Sequence, residues 1–129
     1  MDRPISEEIK NALGELDGDR KHLLDLALEM MQADDGGVWQ LDLLAHGALN
    51  RAVALMTGFK AMIEARNLIC AGALLRLQLD TAARFAASFI VPNPHAFARE
   101  VFEGKQINRM HDRDGNQMTD RRLICHSAG

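Results

Sequence analysis

The chain contains no tyrosine and only three prolines and two cysteines in 129 residues. Scarce proline leaves long helices unbroken, and the abundance of Ala, Leu and Met pulls the same way. Cys70 and Cys125 have no metal-like spacing, and none of the five histidines stands in a zinc pattern such as His-x-x-x-His. Excess positive charge is also missing. The formal net charge is -3, so there is no general pull towards nucleic acid or an acidic membrane. Arginines do gather between Arg99 and Arg122, which leaves room for a local basic patch. Met1-Asp2-Arg3-Pro4 runs straight into an acidic amphipathic segment and does not resemble a secretory leader. A Gly-rich phosphate loop, a nucleophile elbow and an aromatic stacking platform are absent as well. These absences exclude most motif-defined enzymes and point to a cytoplasmic helical protein without cofactor or metal.

A length of 129 residues suits one domain with its own core, and 47% hydrophobic with 26% charged residues is a globular balance. The expected class is all-α: a helical bundle on a long antiparallel hairpin, about 40–65 and 68–91. Within a single domain 1–129, residues 1–37 form N-terminal helices and 38–104 the core hairpin plus a short helix. Residues 105–129 form an irregular C-terminal segment. Ser6 is the expected cap of a first helix reaching Leu16, with Asp17-Gly18 as a break and Asp19 capping a second helix to Met31. In that second helix Leu23, Leu24, Ala27, Leu28 and Met31 form one apolar stripe. Asp34-Asp35-Gly36-Gly37 is the clearest interruption.

Beyond it, Leu41, Leu44, Ala48, Ala52, Leu55, Phe59, Met62 and Ile63 share one helix face. Gly58 on that helix marks a close approach to a neighbour, since an internal glycine otherwise costs about 1 kcal/mol. Arg66-Asn67 reads as a tight turn, because one rod from 40 to 91 would be about 78 Å long. Asn93-Pro94 reads as cap and first residue of a short helix that Gly104 ends. Thr119 caps a final helical turn from Asp120 to about Cys125. Cys70, Met30, Met31, Met56 and Met62 are expected as core filling.

The one charged feature inside the most apolar stretch, Leu68 to Val91, is Arg76–Asp80–Arg84. Steps of four keep the three side chains on one helix stripe. Charges surrounded by Leu, Ile, Ala and Phe must satisfy one another or a guest anion, since charges are rarely buried unpaired. The same three charges argue against a membrane span, at roughly 2.5–3.5 kcal/mol each.

The segment Leu75-Arg76-Leu77-Gln78-Leu79-Asp80, on the second helix of a hairpin, resembles the core Arg-x-x-x-Glu/Asp helix of the HEPN superfamily of bacterial helical proteins. The likeness spans roughly residues 41 to 123. It implies a homodimeric bundle in bacterial defence, toxin regulation or counter-defence, either a ribonuclease or a non-catalytic relative. The superfamily's catalytic Arg, a short spacer and His match Arg121 and His126, with Arg122 where a polar residue is usual. Such a pair would cleave RNA without metal, His126 moving the proton and Arg121 stabilising the phosphate charge.

A calcium loop at His111-Asp112-Arg113-Asp114-Gly115-Asn116 fails on spacing. Counted from Asp112, the sixth position is Gln117 and the twelfth is Leu123. An exposed turn closed by Asp114-Gly115 is expected instead. The hairpin's apolar surface, with Phe85, Phe89, Phe97 and Phe102, is large for the remaining elements to cover, so self-association or another protein partner is expected. The leading expectation is a non-catalytic helical interaction module. An endoribonuclease using Arg121 and His126, with RNA as partner, is the alternative. Nucleotide or anion sensing at the Arg76/Arg84 seam is a third.

Overall fold

In the computed structural model, which describes residues 3–33 and 39–127, the chain begins as its caps dictate. The Ser6 hydroxyl accepts the Ile9 N–H at 3.3 Å and opens α1 (Glu7–Ala33). The expected break at Asp17-Gly18 does not occur: α1 runs through it as one helix of 27 residues. The reason is tertiary. Asp17 is held by Lys60 at 2.5 Å and by Arg20 at 3.4 Å, and Arg20 also donates to the Thr57 hydroxyl at 3.0 Å. Docking on the next helix offsets the roughly 1 kcal/mol cost of an internal glycine. The interruption read at residues 34–37 lies outside the described residues.

The second helix, α2 (Gln40–Glu64), buries or half-buries every member of its expected apolar face. Its end is a left-handed cap at Arg66, where φ is 58°. The Met62 carbonyl accepts the Asn67 N–H at 2.8 Å and the Ile63 carbonyl accepts the Arg66 N–H at 3.0 Å. Gly104, at φ 90°, closes a later helix with the same bond pattern. Only at residue 66 does the geometry fall on a side chain with a Cβ, which costs roughly 1–2 kcal/mol. Asn67 then accepts the Cys70 N–H and opens α3 (Leu68–Ala86). Contacts between α2 and α3 run in opposite chain senses. Gly58 meets Leu74 near the turn, and Arg51 meets Thr81 farther from it. A Cβ built on Gly58 would lie 3.2 Å from the Leu74 methyl, so the close approach read from the sequence is real.

The α-helix ends at Ala86 rather than Val91, passing into a 3-10 turn over Ala87–Phe89. The Ser88 hydroxyl donates to the Phe85 carbonyl, and the Arg113 N–H takes the Ile90 carbonyl at 2.9 Å. Pro92 also disfavours helical backbone at the residue before it. Helix α4 (Pro94–Phe102) starts as expected, with Asn93 accepting the Ala96 N–H and proline first. A 3-10 turn (Ile107–Arg109), a turn closed by the His111–Gln117 bridge and α5 (Asp120–Ser127) complete the chain. The class is all-α, with no strand among the described residues.

Two regions differ in depth. The true core lies at one end, where Ala83, Ala87 and Val91 meet Phe97, Met110, Met118 and Leu123. The other end is a single layer in which α2 packs between α1 and α3, burying Leu13, Ala52 and Ala71. Nothing among the described residues is stacked on that layer, which corrects two expectations. Cys70 is exposed, and Met31 projects outward, while Met110 and Met118 fill the core instead. No helix among the described residues is long and apolar enough to cross a membrane.

Candidate functional site

The Arg76–Asp80–Arg84 stripe is not enclosed. Arg76 and Arg84 are exposed, Asp80 is half-buried, and none of the three makes an ion pair or hydrogen bond among the described residues. The expectation assumed that α3 would be covered on all sides. With α2 along one side and α5 packed only where Ala83 and Ala87 meet Leu123, the outer face of α3 stays wet, and its charges need no partner.

The stripe divides over two surfaces. Asp80 and Arg84 line a cleft of about 450 Å³ between α2, α3 and α4, whereas Arg76 is not part of it. Arg51 of α2 supplies the second cation there. Its Nε donates to the Thr81 hydroxyl at 2.9 Å, and that hydroxyl donates to the Leu77 carbonyl at 2.9 Å. Leu44, Phe85, Val101 and Ile107 give the cleft an apolar floor. Two guanidinium groups over such a floor can hold an anion with an apolar body, and Asp80 on the same cleft can take a cation or donor group. Arg51 escaped the sequence reading because it stands on a different helix with no local pattern around it.

Arg121 and His126 both stand on α5 and border one shallow surface depression with Thr119, Arg122 and Cys125. Both are exposed, and no hydrogen bond joins them among the described residues. Their neighbour Arg122 has a different task. Its Nε and Nη2 both reach one carboxylate oxygen of Asp112, each at 2.8 Å.

Asp112 is the enclosed charge that the sequence reading missed. Its side chain is 1% exposed. One oxygen accepts the Asp114 and Asn116 N–H groups, each at 2.9 Å, while the other takes Arg122. Burial pushes this carboxyl up. The hydrogen bonds from Asn116, Arg122 and Asp114 outweigh it and hold the group below the usual aspartate range. The exposed Asp114-Gly115 turn expected from the sequence is present, with Gly115 at φ 79°, and Asp112 makes a buried knot beneath it: Met110 and Met118 enter the core on either side of Asp112, and the Met118 N–H bonds the Met110 carbonyl at 2.9 Å. Its signals were an Asp followed by turn residues, the pattern of a side chain that caps its own loop, and methionines on both flanks. No group of His, Cys, Asp or Glu among the described residues is arranged to hold a metal ion.

No family model, curated protein or solved structure matches this chain.

Proposed function

We propose that this chain is a non-catalytic helical interaction module, of the HEPN-like kind that the Arg76-to-Asp80 segment resembles, in a bacterial defence, toxin-regulation or counter-defence setting. One observation carries the reading. The accessible surface is 9024 Å², against about 6,800 Å² for a compact monomer of 14.3 kDa. The excess, about 2,200 Å², exceeds the roughly 800 Å² that each partner contributes to an ordinary specific interface. Much of it is apolar: Leu24, Leu28 and Met31 on α1, and Leu68, Ile69, Leu75 and Leu79 on α3, are all exposed.

The discriminating assay is labelled RNA in EDTA. The RNA is expected to stay whole with the wild-type protein and with His126→Ala alike. Metal-independent cutting that disappears with His126→Ala and with Arg121→Ala would make the chain an endoribonuclease and end the non-catalytic reading.

A second reading, anion or nucleotide sensing, is favoured by Arg51 and Arg84 opening on the same cleft with no carboxylate bonded to either among the described residues. A ligand at 100 times its dissociation constant adds about 2.7 kcal/mol to stability. A nucleotide panel is then expected to raise the melting temperature of wild type but not of Arg84→Ala. A flat panel removes this reading.

A further inference from the structure

Three described residues have a positive φ, and two of them are Gly104 and Gly115. The third is Arg66, at 58°, where glycine does the same work without strain. A side chain kept on a strained backbone is kept for what it reaches. Arg66 lines a groove of about 550 Å³.

That groove lies beyond the Asp17–Lys60 pair, towards the start of α1. Ile5, Ile9 and Leu13 line it from the start of the chain, Phe59 and Ile63 from α2, and Leu68 from α3. Ile9 and Leu13, like Phe59 and Ile63, are spaced by four, so each helix turns one apolar stripe to it. Leu13 is 8% exposed, whereas Ile9 and Leu68 are 44% and 69% exposed, so the groove is closed at depth and open at its mouth. Among the described residues Arg66 is the one ionisable group of the lining, and it is exposed. No carboxylate pairs with it there, although Glu64 is only two residues away. The Ser6 hydroxyl, the other polar side chain of the lining, is committed to the cap of α1.

The chemistry selects the occupant. Apolar walls call for an apolar body, and one unpaired guanidinium calls for one negative charge. Its planar fork matches a carboxylate through two parallel hydrogen bonds. A phosphate monoester carries close to two charges, and Glu8 and Glu64, each next in sequence to a lining residue, repel the second. The volume falls in the range of roughly 300–1,000 Å³ usual for small-molecule sites. We propose that this groove binds an aliphatic monocarboxylate, its alkyl chain along Leu13 and Ile63 and its carboxylate on Arg66. The site is separate from the Arg51/Arg84 cleft and depends on neither functional reading given above.

Calorimetric titration of the full chain with hexanoate, octanoate and decanoate, each below its micelle concentration, tests it. Taking one methylene out of water contributes about fourfold in affinity, so the dissociation constant is expected to fall by up to about that factor per methylene. 1-Octanol removes the charge and octyltrimethylammonium reverses it. Both are expected to bind at least about tenfold more weakly than octanoate. Arg66→Gly is the decisive variant, because its two effects have opposite signs. Relief of the positive φ raises the melting temperature of the free chain, while octanoate affinity falls by about tenfold or more. Arg66→Lys keeps the charge and is expected to recover part of that affinity. Ala12→Phe, at an exposed position of the lining, fills the groove and is expected to abolish binding. Octanoate binding unchanged in Arg66→Gly overturns the proposal, and so does octanol binding as tightly as octanoate. No binding of any of the three acids overturns it too and leaves the groove to a protein partner. Loss of binding in Arg84→Ala but not in Arg66→Gly assigns the acid to the α2–α3–α4 cleft, which is a third way for it to fail.

Discussion

Asp112→Ala lowers the melting temperature by roughly 10 °C or more, the largest loss expected from any single polar residue here. The side chain is enclosed and its two oxygens receive four N–H donors, two from the backbone and two from Arg122. Removing the carboxylate strands the Asp114 and Asn116 N–H groups inside the turn. It also frees Arg122, which anchors α5 to that turn. Asp112→Asn keeps the shape but turns an amide N–H₂ towards donors, so it recovers only part of the loss. The effect is local before it is global. Hydrogen exchange is expected to speed up first at Gly115 and Met118, whose N–H groups bond the Asp112 and Met110 carbonyls. Equal melting temperatures for wild type and Asp112→Ala would show that the knot contributes nothing.

Acid pH provides a second measure of the same bonds. Asp17 is held below the usual aspartate range chiefly by the hydrogen bond from Lys60, against the opposing effect of burial, and Asp112 is held down as described above. In the unfolded chain both return to about 3.9. A carboxyl with a depressed folded pKa stabilises the fold above the unfolded value and loses that contribution as pH falls through the folded one. These two groups therefore add a constant stability at neutral pH that drains away below about pH 4. The acid limb of the melting curve is expected to flatten in Asp112→Ala, since one of the two contributors is gone.

The sequence disclosed what local chemistry controls. Ser6, Asn93-Pro94, Gly104 and Thr119 were legible because a cap or turn is decided by a residue and its next few neighbours. The apolar face of α2 was legible because packing repeats along it. What failed was whatever depends on the far side of a helix. Gly18 is a breaker by propensity, yet Lys60 and Thr57, some forty residues away, hold that stretch straight. Charged residues on α3 read as buried because their neighbours in sequence are oily, but those neighbours face outward too. Hydropathy records how apolar a helix is, not whether another element arrives to cover it. The carboxylate that is enclosed, Asp112 with its half-buried partner Arg122, sits in a polar stretch of the chain, where no hydrophobic count would seek it.

The second large effect separates two phenylalanines on one helix. Phe97 is 3% exposed and packs in the core formed by Ala83, Ala87, Val91, Met110, Met118 and Leu123. Phe97→Ala removes most of a ring from that cluster and is expected to cost about 3–5 kcal/mol. Alanine-rich neighbours have little side chain with which to refill the space, which favours the upper part of that range. Phe102, five residues on, is 56% exposed and lines the cleft beside Arg84. Phe102→Ala is expected to cost under about 1 kcal/mol. Urea melts of the two variants decide the matter, with midpoints compared at equal m-values. The contrast matters because composition treats the two rings alike, while the fold commits one to the core and leaves the other on the open cleft. Equal losses would mean that the cleft is closed in solution and that Phe102 is as deeply packed as Phe97.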